Sequence, residues 1–156
     1  MTKPIPDGFN TMTPHLTVQD AAKAIEFYKK AFGAQATAVH RSPDGKTIIN
    51  AQLKLGNSML MLNDEFPPMA VSPKSRGGSS VILHLYVENA DAAFERAVKA
   101  GCTVKMPLGD QFWGDRYGSL EDPFGHLWSI ATHKQDLNAE QVAAGAKAAF
   151  AKMPKC

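Results

Sequence analysis

Two rhythms of apolar and polar residues run along this chain, and each occurs twice. Short β-rich runs come first, "PHLTV" (14–18) and "ILHLYV" (82–87), with the alternation of a half-buried strand. A helical period follows each run. After Asp20, apolar residues recur at Ala24, Ile25, Tyr28 and Phe32, and Asn89 opens the second such segment. Asp20 and Asn89 are N-cap residue types, and Gly33 and Gly101 stand where these helices should end.

Beyond each helix the period returns to two. "QATAVHRS", a "PDGK" turn, "TIINAQLKL", a "GN" turn and "SMLMLN" read as a meander in the first half. "TVKMPL", an aromatic loop, "GSLED", a "DPFG" turn and "HLWSIAT" do the same in the second. His15 and His84 stand 69 residues apart, and the stretches that they open, "HLTVQDAAKAIEFYKKAFGA" and "HLYVENADAAFERAVKAGCT", match at that offset. A repeat of this length is one supersecondary unit used twice. The fold predicted is α+β: two tandem βαβββ modules forming a cleft, the natural place for a ligand.

Module one covers about 11–64 and module two about 81–133, within a single duplicated domain, 1–137. The connector, 65–80, is rich in Pro, Gly and Ser and is expected to be a mobile strap or lid rather than core. The remainder, 138–156, is a helical extension with Asn138 as its cap. Its apolar stripe, Val142, Ala146, Phe150 and Met153, suits packing on the domain or on a partner chain.

Composition narrows the function classes. The 156 residues are 44% hydrophobic and 21% charged, with a net charge of +2, too small to argue for nucleic acid or an anionic membrane. No run reaches the ~18 apolar residues of a membrane span, and Met1–Asn10 lacks the apolar core of a leader. Cys102 and Cys156 have no metal-type spacing, Cys156 lying at the exposed terminus, so a reducing cytoplasm is expected. No Ser-His-Asp, Cys-His, P-loop or zinc-cluster signature is present.

Four ordered stretches, "FYKKAFGA", "LHLYVENADAAFERAVKAG", "QFWGDRYG" and "DPFGHLWSIATH", carry a resemblance over roughly residues 12–137. The chain resembles the vicinal oxygen chelate superfamily of glyoxalase I, bleomycin-resistance proteins and extradiol dioxygenases, in its PhnB-like branch. The resemblance implies two βαβββ modules around a cleft, commonly completed in a homodimer. Some members of that branch have a name suggesting ubiquinone methylation, but no strand-followed glycine-rich turn for a methyl donor occurs here.

Metal-dependent members put ligands on the first and last strands of each module. Carried onto this chain, those positions hold Thr13, Met61, Ile82 and Ser129, none a normal ligand for zinc, nickel or iron. No cofactor is therefore expected, and metal below one ion per chain. The alternative is a divalent metal held by His15 and His84, two residues past those positions, with Gln52 or Glu121 as third ligand. Many relatives have histidine and glutamate where this chain has Asn50 and Gln52.

The aromatic segment permits two readings. In one, Phe112 and Trp113 are core residues of a long turn, with Asp115 and Arg116 an exposed pair. In the other, Trp113, Arg116 and Tyr117 line the cleft mouth, where the aromatics stack on a flat or cationic ligand, and Gly114 and Gly118 let the loop bend. His126 is expected at the surface, and Glu121 and Asp122 as a weak acid–base pair at the strand end.

The candidate ligand-binding residues are thus His15, Gln52, His84, Trp113, Arg116, Tyr117, Glu121 and Ser129, with no catalytic residue assigned. The function expected is binding of a small molecule, as the resemblance to the metal-free bleomycin-resistance proteins implies. A glyoxalase-type lyase, isomerase or dioxygenase is the alternative, and a support for a partner protein a third reading.

Overall fold

The computed structural model describes residues 2–152. Module one comprises β1 (His15–Val18), α1 (Ala21–Phe32), β2 (Gln35–Arg41), β3 (Ile48–Leu55) and β4 (Ser58–Asp64). The connector contributes one turn, α2 (Pro73–Arg76). Module two comprises β5 (Ile82–Tyr86), α3 (Ala90–Ala100), β6 (Thr103–Asp110), β7 (Asp115–Glu121) and β8 (Leu127–His133). The last element is α4 (Ala139–Ala151).

Each module folds into a four-stranded sheet, ordered β1-β4-β3-β2 and β5-β8-β7-β6. The β1–β4 and β5–β8 pairs are parallel and the rest antiparallel, as a crossover helix followed by a meander requires. The duplication is therefore a property of the fold.

Local chemistry sets the helix limits. The Asp20 and Asn89 side chains accept the backbone N–H groups of Lys23 and Ala92, satisfying donors that the first turn leaves open. Gly33 ends α1 in the left-handed region, at φ +72°. Both helices lay their apolar face on their own sheet, and the modules meet chiefly through α1 and α3.

The junction between modules is aromatic with one polar centre. Phe27, Tyr28, Phe32, Phe124 and Trp128 pack edge-on or tilted, with Phe32 and Trp128 centroids 4.3 Å apart. Asp122 is buried among them. It accepts the Tyr28 hydroxyl at 2.7 Å, the Trp128 indole at 2.8 Å, and the backbone N–H groups of Phe124 and His126. Burial, with the Asp122 charge beside it, holds the Tyr28 phenol well above its usual pKa. Asp122 is thus a buried link between modules, not an acid at a strand end. Burial also pushes the free thiol of Cys102 up to about 12.

Three further expectations change. The connector is anchored on module one: Ser72 is buried, the Glu65 N–H donates to the Val18 carbonyl at 2.9 Å, and Gln19 Nε2 donates to Ser75 Oγ at 3.2 Å. His126 is buried, not superficial, and its Nε2–H donates to the Thr17 carbonyl of module one at 3.0 Å. Gly118 lies within β7 rather than in a bending loop, where a Cβ would meet Phe94 at 2.6 Å and Leu108 at 2.9 Å. Its missing side chain lets the strand approach α3 and β6.

In α4, Asn138 and Gln141 form a reciprocal capping box. Its Gly145 rests on Phe112, while Phe150 stays largely exposed. Met153 and Cys156 lie outside the described residues. Among the described residues no helix is long and apolar enough to cross a membrane.

Candidate functional site

Each sheet buries one face under its helix and leaves the other open. On the open face of the second sheet, alternation along β5 brings out Ile82, His84 and Tyr86, while Leu83 and Leu85 turn inward. The register carries the set across. His84 lies beside Ser129 and Ser129 beside Ser119; Tyr86 lies beside Ala131 and Ala131 beside Tyr117.

The segment "QFWGDRYG" divides at Gly114. Only Gln111–Gly114 turns, and β7 begins at Asp115. Strand alternation therefore separates Asp115 and Tyr117 from Arg116. Arg116 is tied to Asp91 of α3 at 2.6 Å and to Asp110 at 3.2 Å, so it stands on the helix side. The exposed Asp115–Arg116 pair does not form, and Arg116 is not part of the open face.

The open face is an aromatic surface over a polar base. His84 and Tyr117 are stacked at 5.8 Å, His84 meets Tyr86 edge-on at 4.5 Å, and Trp113 meets Tyr117 edge-on at 5.5 Å. Asp115, only 4% exposed, accepts hydrogen bonds from His133 Nδ1 (2.8 Å), the Tyr86 hydroxyl (2.9 Å) and the Trp113 indole (3.2 Å). Burial raises the Asp115 pKa, but these three donors outweigh it and leave the carboxyl below its ordinary range.

The second ring nitrogen of His133 faces Asp136 at 3.0 Å. Only the imidazolium can donate to both carboxylates, and Asp136 first, then Asp115, raise the His133 pKa. Trp113 is therefore held by its N–H and half-buried, with part of its ring toward solvent. This answers the core reading of that residue: the aromatic core of the junction contains Trp128, not Trp113.

The remaining candidates separate by sheet. His15 and Gln52 lie on the open face of the first sheet, in one row with Met61 between them. The corresponding row of the second sheet is His84–Ser129–Ser119. Glu121 lies one strand step away, beside Leu127 and paired with Lys105 at 3.0 Å. His15 and His84 line different cavities. Tyr86, Asp115 and His133 escaped the sequence reading, although the period of two from His84 to Tyr86 was the available signal.

The donor set does not fit a divalent metal. Met61 and Ser129 face His15 and His84 in register, offering a thioether and a neutral hydroxyl. Among the described residues no group of three or more His, Cys, Asp or Glu is gathered closely enough to hold an ion.

With this geometry in hand, comparison with known proteins decides the family. The family model of the Glyoxalase/Bleomycin resistance protein/Dioxygenase superfamily matches residues 8–130. The chain belongs to that superfamily. An uncharacterized Mycobacterium tuberculosis protein is 46% identical over 137 residues, covering 85% of this chain and 80% of the relative. The crystal structure of TioX from a Micromonospora species superposes with a TM-score of 0.62 at 27% identity, covering 83% of this chain and all of that one. A PhnB protein of Bacillus cereus, 21% identical, shares the fold with a TM-score of 0.61 over 79% of this chain and 99% of its own.

Proposed function

We propose that this superfamily member binds a small, flat molecule on the aromatic face of its second sheet, without the metal site found in other members. The observation that carries this reading is the uncovered surface of His84, Tyr86, Tyr117 and Trp113, with Trp113 and Tyr86 braced by the buried Asp115. Aromatic rings outside the core and fixed by hydrogen bonds suit stacking on a planar or cationic ligand. Beside His84 an apolar cavity of about 500 Å³, bounded by Met12, Leu60, Ile82 and Trp128, offers room for the rest of such a molecule.

The site is completed in a homodimer. A single chain leaves both open sheet faces uncovered, with Met12, Ile82 and Tyr86 among its exposed apolar residues. A twofold partner would bring its first-sheet face, with His15 and Gln52, against Trp113 and Tyr117. The buried, unpaired Cys102 accords with a reducing cytoplasm.

Thermal-shift screening against glycopeptide-type antibiotics and small keto-acids, with and without added divalent metal, tests the reading. Stabilisation by an aromatic compound, independent of metal and absent in Trp113→Ala, is expected. Turnover of a thiol adduct that needs added metal and disappears in His84→Ala would replace it with a lyase or isomerase.

A further inference from the structure

The first sheet has a site of different character. A cavity of about 490 Å³ lies where the connector folds over β1 and β4. Its wall holds Arg76, His15, Thr17, Asn63, Ser79 and Ser80, and no carboxylate residue lines it. The two acids that follow Asn63 in sequence are already occupied. Asp64 accepts the backbone N–H groups of Ala21 and Ile48 at 2.6 and 2.7 Å, and Glu65 accepts that of Ser72 at 2.7 Å. Arg76 makes no ion pair among the described residues.

An arginine, the His15 imidazole and the Ser80 hydroxyl around one cavity, with the neighbouring carboxylates turned to backbone, form an environment for an anion. The guanidinium fork matches a carboxylate or phosphate in two parallel hydrogen bonds. Buried Ser72 and the Gln19–Ser75 hydrogen bond of 3.2 Å hold the backbone of the connector over module one, which places Arg76 at the cavity.

We propose that this cavity is an oxyanion subsite, taking the carboxylate or phosphate end of a small molecule, with Arg76 as its principal contact and His15 and Ser80 also lining it. It goes beyond ligand binding at Trp113, which lines no part of it, and its test turns on Arg76, which has no part in that face.

The full-length protein is titrated with inorganic phosphate and, separately, with acetate, at constant ionic strength, following backbone amide resonances by NMR. Saturable shifts at Gly78, Ser79, Ser80 and His15 are expected with at least one anion, and phosphate alone would mark a phosphate subsite. Arg76→Gln should weaken that binding at least tenfold while Arg76→Lys retains part of it. Arg76 is exposed and unpaired, so both variants should fold, which the rest of the spectrum verifies. Linear, unsaturable shifts with both anions, or equal affinity in Arg76→Gln, would overturn the subsite.

Discussion

Nδ1 of His84 lies 2.7 Å from Oγ of Ser129 across the parallel β5–β8 pair, while the equivalent His15 stands beside Met61. A neutral hydroxyl meets one ring nitrogen of the first imidazole, and a thioether lies alongside the second. Neither is a normal ligand for zinc, nickel or iron. His84 is instead a ring in an aromatic surface, stacked on Tyr117.

The buried carboxylate of Asp122 joins the modules, so its loss should be felt globally. Asp122→Ala leaves the Tyr28 hydroxyl and Trp128 indole without their acceptor, at a cost of about 2–4 kcal/mol. Asp122→Asn, which keeps one acceptor oxygen, should cost less than Asp122→Ala. Denaturant unfolding followed by far-UV circular dichroism measures both, and an unchanged midpoint in Asp122→Ala would remove this residue from the junction.

Gly118→Ala should also destabilise, by about 1–3 kcal/mol, because the added methyl overlaps Phe94 and Leu108. The contrast is Gly45→Ala. A Cβ there meets nothing within 4 Å, although φ is +73°, so only backbone strain opposes it. The two midpoints, compared in one unfolding series, separate overlap from strain; a larger loss at Gly45 would contradict the close approach of β7 to α3.

Arg116 is committed to Asp91 and Asp110 on the helix side of β7. Arg116→Ala should leave ligand affinity at the Trp113 face unchanged and lower stability only slightly, since both acid partners are exposed to solvent. A tenfold loss of affinity with intact stability would return Arg116 to the binding surface.

His133 links β8 to the turn before α4 through two carboxylates. Its pKa is raised above 6.5, so its contribution is fully present below that value and is lost as pH rises through the folded-state pKa. The Asp115 pKa is lowered below 3.8, so its contribution is present above that value and is lost as pH falls through the folded-state pKa. The clamp is therefore strongest between about pH 4 and 6.5. NMR titration of the imidazole should place His133 above 6.5 and show a decrease in Asp136→Asn. Titration at or below 6.5 in the parent protein would contradict the double pairing.

Much of this architecture is legible from residue pattern. The duplicated His-Leu-x-Val runs, the caps at Asp20, Asn89 and Asn138, and the alternation in each meander report local forces, and these elements form as expected. Contacts between modules are another matter. Asp122 and His126 flank a turn whose sequence resembles a surface device, yet their partners, Tyr28 and Thr17, come from the other module.

The candidate site divides in the same way. His84, Ser129, Trp113 and Tyr117 gather because alternation and register are local rules. Arg116 departs because β7 starts at Asp115, earlier than its glycine-bounded pattern suggests. Tyr86 follows His84 by alternation and meets it edge-on, whereas His133 joins through the buried Asp115, a link with no signature in spacing.

Binding at the Trp113 face is tested most directly by the two indole N–H resonances, Trp113 and Trp128, during titration with aromatic compounds, bleomycin among them. With a compound that raises the melting temperature, the Trp113 signal should move saturably, and Trp128, whose N–H is held by Asp122 but whose ring bounds the adjoining cavity, should move less. The same compound should lose its affinity in Trp113→Ala. A Trp113 signal unmoved by every stabilising compound, or undiminished affinity in Trp113→Ala, would contradict a ligand surface on the second sheet.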